Sequence, residues 1–206
     1  MPTLEIENSY SNKIVIGIDE AGRGPIAGPV VAACALIENN QYPLGIDDSK
    51  KISQKKRQEL FIDIKNSIKF GIGIVDEKII DKINILQATK LAMLKSYDDL
   101  LTKYQIRPNI ILVDGNFLPF APKDDIINIL PIIKGDQKSI SIATASIIAK
   151  EVRDNIMKNY HIQYPQYDFA KHMGYPTANH IAAINNHGIS PIHRQTFSPC
   201  QKFAVN

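Results

Sequence analysis

The chain has 206 residues, of which 44% are hydrophobic and 22% are charged, a composition typical of one folded domain. Its formal net charge of +3 is too small to argue for nucleic-acid binding by itself. The two cysteines have no metal-binding or redox spacing, and no apolar run approaches the roughly 20 residues that a membrane-spanning helix needs. These observations exclude membrane-spanning and disulfide-stabilised classes, and we expect a cytoplasmic protein.

The first third of the chain contains three β-branched runs. The runs at Lys13–Asp19 and Pro29–Ile37 predict two strands, and their connection is too short for a crossover helix, so we expect antiparallel neighbours. Ser53 is the expected N-cap of a helix that continues to about Ser67. The run at Lys69–Val75 predicts a third strand.

The rest of the chain alternates helical periodicity with shorter strand patterns. An apolar stripe predicts a long helix over about Leu86–Tyr104, and the segments Asn109–Gly115 and Ile126–Asp136 each predict a short strand. Two more helices are expected at about Ser139–Tyr160 and Thr177–Asn186. The order β-β-α-β-α-β-β-α predicts an α/β fold, with a mixed central sheet flanked by helices and followed by a helical C-terminal section.

Acidic residues recur where the predicted strands leave the sheet, at Asp19 with Glu20, at Asp114 and at Asp136. A single carboxylate at a strand end usually caps a backbone group or faces solvent, but ligand sites of open α/β sheets collect at these ends. Clustered carboxylates repel one another unless a hard divalent cation lies among them. All-oxygen ligand sets favour Mg²⁺ or Mn²⁺, so the pattern predicts a site for one of these ions.

The segment Gly22-Arg23-Gly24 follows the acidic pair almost directly. Glycines let the backbone approach a phosphate closely, Arg23 adds positive charge, and a bound metal would remove the repulsion between phosphate and acids. The chain has no G-x-x-x-x-G-K-[ST] motif, which excludes a P-loop ATPase. The alternative interpretation of this loop is a tight connection between strands that carries an exposed arginine.

Several motifs in a fixed order resemble the ribonuclease HII family, the type 2 ribonucleases H, from about Ile14 to Phe203. The motifs are GIDEAGRGPIAGPVVAA, DDSKKIS, LVDGN, IIKGD, ASIIAKEVRD, KHMGYPT and HRQTFSP. The resemblance implies a single ribonuclease H-like catalytic domain over residues 1–206, with its core at about 13–160. A helical, substrate-binding C-terminal section is implied at about 161–206.

The same resemblance implies an activity and its site. Members of the family hydrolyse the RNA strand of RNA–DNA hybrids and incise duplex DNA on the 5′ side of embedded ribonucleotides. The metal-binding and catalytic carboxylates would be Asp19, Glu20, Asp114 and Asp136, acting with Mg²⁺ or Mn²⁺. Implied substrate contacts are Gly22, Arg23 and Gly24 at the ribonucleotide 2′-OH and nearby phosphates, Tyr175 stacked on the sugar at the DNA–RNA junction, and Lys50, Lys51 and Ser146.

The implied mechanism is two-metal hydrolysis, with Asp19 bridging the ions and with 3′-OH and 5′-phosphate products. The chain departs from the family's usual SAASI motif at Ala143 and Thr144, where we expect a change of local packing or of a phosphate contact and an intact metal site. Asp154 lies four residues after Lys150, which is more typical of a surface ion pair than of a site residue.

Alternatives remain open at this stage. A resolvase or an integrase would share the carboxylates, a phosphotransferase would use them to hold Mg²⁺, and a non-catalytic nucleic-acid-binding domain would leave them unexplained. Tyr175 could instead pack beneath the helix that follows it. Solvated or capping roles are expected for His172, His180, His187 and His193, which lack zinc-site spacing. No unclaimed apolar helix stripe is visible, so we expect a monomer.

Overall fold

A five-stranded mixed sheet forms the centre of the protein, whose computed structural model describes residues 1–120 and 127–203. The strands are β1 Val15–Ala21, β2 Val30–Leu36, β3 Lys69–Val75, β4 Ile110–Asp114 and β5 Asn128–Ile132. They lie in the order β3-β2-β1-β4-β5. β1 is antiparallel to β2 and parallel to β4, β2 is antiparallel to β3, and β4 is parallel to β5. The mixed sheet and the antiparallel first pair are confirmed, whereas the predicted start of the last strand at Ile126 lies outside the described residues.

Six α-helices occur in the described residues. They are α1 Glu5–Asn8, α2 Gln54–Ser67, α3 Glu77–Tyr104, α4 Ile140–Gln163, α5 Phe169–His172 and α6 Ala178–His187. Ser53, Ser139 and Thr177 are the N-caps of α2, α4 and α6, because each side-chain oxygen accepts the backbone N–H three residues later. No helix in the described ranges is both long and apolar enough to cross a membrane.

The helices cover both faces of the sheet, which the strands divide by alternation of their side chains. Ala92 and Met93 of α3 pack with Ile18 on one face. Leu60 of α2 and Ile147 of α4 pack on the other face, which places α4 directly behind the acidic end of β1.

The helix predicted at about Leu86–Tyr104 is longer and interrupted. Asn84 has a φ of 67° inside α3, and its side-chain oxygen accepts the backbone N–H of Gln87. Asn84 therefore caps the second helical segment, which matches the predicted start to within a residue or two. The first segment, from Glu77, was missed because it holds too few turns to show a clear period.

The C-terminal section covers the loop that follows β1. Ile26, Ala27, Phe169 and Ile184 belong to one apolar cluster, separate from the clusters on the sheet. The backbone of Ile26–Gly28 also pairs with the C-terminal section, since Gly28 N–H donates to Ile192 O at 2.8 Å and Ile26 N–H donates to Gly174 O at 2.9 Å. The loop is thus held between the sheet and the C-terminal helices.

Candidate active site

Neighbouring parallel strands bring the first acids together. Ile18 of β1 pairs with Val113 of β4, so the next residues along, Asp19 and Asp114, leave the same region of the two strands. Asp19 and Glu20 nevertheless lie within β1 rather than beyond its end, and Asp136 lies in the 3-10 helix Gly135–Gln137, four residues after β5. The prediction that every acid stands at a strand end was therefore wrong for these three.

Asp19 is only 4% exposed and lies close enough to Glu20 and Asp114 to feel both charges. Burial raises the pKa of Asp19 well above its ordinary value, and the charges of Glu20 and Asp114 raise it further. A hydrogen bond from Ser146 on α4 opposes this shift of the pKa, as does the Glu20 N–H, which donates to Asp19 Oδ1 at 2.7 Å. The folded chain therefore disfavours the ionised form of its central carboxyl group.

Glu20 and Asp136 also have raised pKa values, although each has one cationic neighbour. Burial raises the pKa of Glu20, although Arg23 opposes the shift from 3.3 Å. Glu20 Oε2 is buried and has no hydrogen-bond partner among the described residues. Burial and then Asp114 raise the pKa of Asp136, whereas Lys50, with Nζ 3.5 Å from Asp136 Oδ2, lowers it. These carboxylates have fewer partners than buried anions require.

The acids do not by themselves enclose an ion. No three Asp, Glu, His or Cys side chains in the described part of the chain are grouped closely enough to hold one metal. Mg²⁺ is commonly bound by only one or two carboxylates, with waters and substrate phosphate oxygens completing its shell. The unpartnered Glu20 oxygen and the raised pKa values of Asp19, Glu20 and Asp136 fit such an ion.

A cavity of about 270 Å³ opens beside the acids. It is lined by Glu20, Ala21, Gly22, Arg23, Gly24, Ser49, Lys50, Ser146, Lys150, Arg153 and Tyr175. Seven of these were predicted from the sequence as site residues, whereas Lys51 is exposed and does not line the cavity. A larger cavity, of about 670 Å³, lies against the N-terminal segment and contains none of the predicted site residues.

Arg194 holds the loop that carries the glycines. Its buried guanidinium donates to Gly22 O at 2.6 Å, Arg23 O at 3.0 Å, Pro25 O at 2.6 Å and Gly28 O at 3.0 Å. Burial lowers the pKa of Arg194 to about 9. The carbonyl groups of the loop therefore face the protein interior.

The N–H groups of the same loop remain available. Those of Gly22, Arg23 and Gly24 have no acceptor within the described residues. Gly22 has a φ of 98°, and a Cβ there would overlap the side chain of Arg153. A run of free N–H groups beside such a conformation is a concavity that binds anions. The loop also connects β1 with β2 and carries Arg23, whose side chain is 44% exposed, as the alternative interpretation expects.

Arg153 fixes the backbone behind this loop. Its guanidinium donates to Pro29 O at 2.9 Å, Met173 O at 2.9 Å and Ala27 O at 3.1 Å, and burial lowers its pKa to about 10. Arg153 lies in the ASIIAKEVRD motif and Arg194 in the HRQTFSP motif, but no role was predicted for either residue. An arginine carries no sequence signal that distinguishes a buried guanidinium from a solvated one.

Asp154 belongs to a buried network rather than to a surface pair. It accepts from Lys150 Nζ at 2.6 Å and from Arg57 Nη2 at 3.2 Å, while Arg57 also pairs with Glu151 at 2.6 Å. The surface location predicted for the Lys150–Asp154 pair was wrong, because Arg57 of α2 closes over it. The network supports Lys150 and, through Arg57 Nη1 at 3.3 Å, the carbonyl of Ser49.

Ser146 and the nearby motif departure lie on α4. Ser146 lies 2.8 Å from Ser49, oxygen to oxygen, at the cavity wall. Ala143 is buried in the core, and Thr144 Oγ1 donates to Ile140 O at 2.7 Å. Neither lines the cavity, so the departure from the family motif concerns packing within α4.

Tyr175 lines the far wall of the cavity, and two buried histidines lie behind it. The Tyr175 side chain is 45% exposed, so it does not pack beneath α6, and its Cε1 lies 3.5 Å from the position of a Cβ at Gly24. His180 and His193 are 0% and 1% exposed, which contradicts a solvated role, whereas their ring nitrogens bond to backbone groups of Tyr175 and Ser190. They lie beneath the Tyr175 backbone, where a chain of hydrogen bonds reaches Tyr175 O.

Comparisons with known proteins agree with this arrangement. A family model described as Ribonuclease HII matches residues 16–200. A Ribonuclease HII from Chlamydia trachomatis serovar A is 47% identical over 199 residues, which cover 96% of this chain and 87% of the relative. A Ribonuclease HII from Rickettsia felis is 47% identical over 197 residues, which cover 96% of this chain and 97% of the relative.

Two solved structures share the fold. The ribonuclease H2 of Pyrococcus horikoshii superposes with a TM-score of 0.75 and 24% identity, over 92% of this chain and 96% of that one. The structure of Bst-RNase HIII in complex with Mn²⁺ superposes with a TM-score of 0.74 and 18% identity, over 98% of this chain and 72% of that one. At these identities the two structures support the ribonuclease H-like fold. From the family model and the close relatives, the chain belongs to the ribonuclease HII family, metal-dependent endoribonucleases that hydrolyse the RNA strand of RNA–DNA hybrids.

Proposed function

We propose that the protein hydrolyses the RNA strand of RNA–DNA hybrids and also incises duplex DNA on the 5′ side of an embedded ribonucleotide. The observation that carries this proposal is that carboxylates, which need cations, adjoin free N–H groups, which need an anion. Asp19 is a buried carboxylate beside the like charges of Glu20 and Asp114, and Glu20 Oε2 has no hydrogen-bond partner in the described residues. Gly22–Gly24 presents unpaired N–H groups to the adjoining cavity. A phosphodiester with divalent ions satisfies both sides together.

The carboxylates Asp19, Glu20, Asp114 and Asp136 would hold Mg²⁺ or Mn²⁺. When bound, the ions supply water activation and stabilise charge on the leaving 3′ oxygen, which leaves 3′-OH and 5′-phosphate products. The protein prepares the site by keeping Asp19 buried and by orienting Asp114, whose Oδ1 accepts the Gly135 N–H at 2.7 Å. That bond also ties the strand with Asp114 to the turn that carries Asp136.

Lys50 and Ser146 are proposed to contact the substrate backbone. The Lys50 ammonium lies 3.5 Å from Asp136, and although burial opposes it, the charges of Asp136 and Asp19 raise the pKa of Lys50. Its side chain is 77% exposed, so the ammonium is free to move from the acids to an incoming phosphate. Lys51 is proposed only as a more distant backbone contact, because it lies outside the cavity lining.

Recognition of the ribonucleotide is proposed for the opposite side of the cavity. The 2′-OH is the group that distinguishes RNA from DNA, and the backbone at Gly22 and Gly24 can approach it without a side chain between them. Arg23 adds positive charge for the neighbouring phosphates. Tyr175 presents an exposed ring at the cavity wall, where it can stack on the sugar at the junction.

A single cleavage assay tests this function. The protein is incubated with a duplex that carries one ribonucleotide, an RNA–DNA hybrid, an all-DNA duplex or a four-way DNA junction, each with Mg²⁺ and separately with Mn²⁺. We expect cuts in the hybrid and on the 5′ side of the ribonucleotide, and intact DNA controls. Cleavage of the four-way junction would instead identify a resolvase, and binding without any cleavage would identify a non-catalytic domain.

The assembly and the location of the protein stay predictions. A monomer is predicted from the sequence, and sedimentation velocity at micromolar concentration tests it through the mass of the 23.0 kDa chain. A cytoplasmic location is likewise predicted from the sequence alone.

A further inference from the structure

A buried row of hydrogen bonds connects Ser190 with Tyr175 through two histidine rings. The Ser190 N–H donates to His193 Nδ1 at 2.9 Å, and the Ser190 hydroxyl, which can also donate, lies 2.8 Å from the same nitrogen. His193 Nε2 lies 3.0 Å from His180 Nε2, and His180 Nδ1 lies 2.8 Å from Tyr175 O. We call these four residues the histidine relay; none of its histidines takes part in the metal chemistry.

The two ends of the histidine relay determine where its protons lie. A backbone N–H can only donate, so His193 Nδ1 accepts from Ser190 and the His193 proton lies on Nε2. That proton is donated to His180 Nε2, which leaves the His180 proton on Nδ1. A carbonyl can only accept, and Tyr175 O receives this last proton. Only one pair of neutral tautomers satisfies every link.

The surroundings keep both rings neutral. Burial lowers the pKa of His180 and of His193 to about 4. The ring of His172 stacks on His180 with centroids 4.3 Å apart, and Phe169 meets both rings edge-on or tilted at 5.4 and 5.6 Å. Among the described residues no acidic side chain contributes to the pKa of either ring, so the neutral tautomers persist at neutral pH.

Tyr175 depends on its backbone for its position. Its hydroxyl has no hydrogen bond within the described residues, and its ring is half exposed. Its carbonyl accepts from His180 and from the Thr177 N–H at 2.8 Å, and its own N–H donates to His172 O at 2.9 Å. The preceding Gly174 has a φ of 82°, so without these bonds the turn has other conformations open to it.

We propose that His180 and His193 are positioning residues, which hold the Tyr175 carbonyl and so set the aromatic ring at the height that a ribonucleotide sugar requires. The proposal rests on the proposed contact between Tyr175 and the substrate. His180 acts directly on the carbonyl. His193 acts one step away, because it forces His180 into the tautomer that donates to Tyr175.

Nitrogen NMR of the histidine rings tests the relay without any reference to activity. In protein labelled with ¹⁵N-histidine at pH 7, long-range proton–nitrogen spectra distinguish the two neutral tautomers. We expect His180 to carry its proton on Nδ1 and His193 to carry its proton on Nε2. A His180 ring protonated on Nε2, or a charged ring at either position, would overturn the proposal.

Kinetics of ring variants test the effect on the substrate. His180→Asn keeps a side-chain N–H near the place of Nδ1, and we expect KM for a single-ribonucleotide duplex to stay within about twofold of the wild type. His180→Ala and His193→Ala each lose a link, and we expect KM to rise roughly tenfold while kcat changes little. His187→Ala is the matched control, since this exposed ring contacts only the edge of Tyr167.

A double variant separates this proposal from the proposed function. If the relay acts through Tyr175, His180→Ala adds no further rise of KM in a Tyr175→Ala background, with folding checked by melting temperature. Additive effects, or an unchanged KM in His180→Ala beside a raised KM in Tyr175→Ala, would overturn the relay. An unchanged KM in Tyr175→Ala would instead refute the proposed substrate contact of Tyr175.

Discussion

The two walls of the active-site cavity satisfy their polar groups in opposite ways. On the wall lined by Glu20 and Ala21 of β1, Glu20 Oε2 has no hydrogen-bond partner within the described residues, and the neighbouring Asp19 is buried among like charges. Behind the C-terminal wall, the Arg194 guanidinium donates hydrogen bonds to four carbonyl groups. There, His193 donates to His180, and His180 donates to the Tyr175 carbonyl. The buried polar groups of the acidic wall therefore lack partners within the protein, whereas those of the C-terminal wall have them.

This difference separates chemistry from geometry. Groups that lack partners in the free protein gain them from a ligand, so the binding of ions and phosphate releases the repulsion that folding has stored. Groups that are already satisfied cannot gain from the ligand and instead hold the loop and Tyr175 in place. Substitution of the buried Asp19 should therefore leave the stability equal or higher, whereas substitution of the buried Arg194 should lower it.

The largest effect is expected from Asp19→Asn. Cleavage with Mg²⁺ should fall at least about 10³-fold, because the central metal-binding carboxylate is lost. Burial, with the charges of Glu20 and Asp114, raises the pKa of Asp19 in the folded protein above its ordinary value of 3.8. The protonated Asp19 side chain therefore stabilises the fold below pH 3.8, and this contribution is lost as the pH rises through the raised pKa. At pH 7 without metal, we expect the variant to melt at an equal or higher temperature than the wild type.

The matched control for Asp19→Asn is Asp168→Asn, at a partly exposed carboxylate whose pKa is lowered rather than raised. The side chain of Lys171 lowers the pKa of Asp168, and the pair lies far along the chain from the acids of the cavity wall. Asp168→Asn should leave cleavage unchanged. Full activity of Asp19→Asn with Mg²⁺ would refute the assignment of the metal site.

The next effect is expected on the C-terminal wall, from Arg194→Lys. Lysine keeps the charge, but its three donors leave from one nitrogen and cannot match the planar guanidinium, whose Nε, Nη1 and Nη2 reach Gly28 O, Pro25 O and Gly22 O. Each buried carbonyl left unpaired costs about 1–3 kcal/mol, so the free energy of unfolding should fall by several kcal/mol. We expect kcat/KM on a single-ribonucleotide duplex to fall roughly 100-fold at a temperature where the variant stays folded. A variant with native loop chemical shifts and native activity would contradict this.

How much of this contrast the sequence predicts depends on what each wall is made of. Acids that follow β-branched runs, as Asp114 does, reveal their neighbours, because adjacent strands bring residues at matching positions together. The strands, the helix cap at Ser53 and the glycine loop are equally local features. The acidic wall was therefore visible before the structure.

The C-terminal wall was not visible, for a physical reason. Arg194 contacts carbonyl groups about 170 positions earlier in the chain, and a carbonyl group belongs to every residue, so no side-chain pattern marks the partner. His180 and His193 showed no metal spacing and were expected in solvent, whereas their burial depends on the packing of Phe169 and Tyr167 around them. Asn84 was missed similarly, because its cap follows a first helical segment that is too short to show a clear period.

Two glycines of the loop sharpen the comparison further. In Gly22→Ala the new Cβ would overlap Arg153 and lie 2.7 Å from Pro29 O, at a φ of 98° that alanine disfavours. We expect a loss of about 1–3 kcal/mol in the free energy of unfolding and a roughly 10- to 30-fold lower kcat/KM.

Gly24→Ala is the matched control for Gly22→Ala. Its Cβ would meet only Tyr175 Cε1, at 3.5 Å, which is an ordinary contact. Stability should stay within about 0.5 kcal/mol of the wild type, with any change confined to KM. Equal destabilisation by the two substitutions, measured by urea unfolding, would show that the loop tolerates no Cβ anywhere rather than being constrained at Gly22.

The smallest effects are expected at Tyr175, where the two walls face the substrate together. Tyr175→Ala removes the stacking face, worth roughly 1–2 kcal/mol, so KM for a single-ribonucleotide duplex should rise about tenfold. Tyr175→Phe keeps that face and loses a hydroxyl that has no hydrogen bond within the described residues, so its KM should stay within about twofold of the wild type. Both variants should melt like the wild type, since the side chain is 45% exposed. Equal KM values for the two variants would exclude stacking on the substrate as the role of Tyr175. The C-terminal wall would then have only a structural role, and substrate binding would depend on the rest of the cavity.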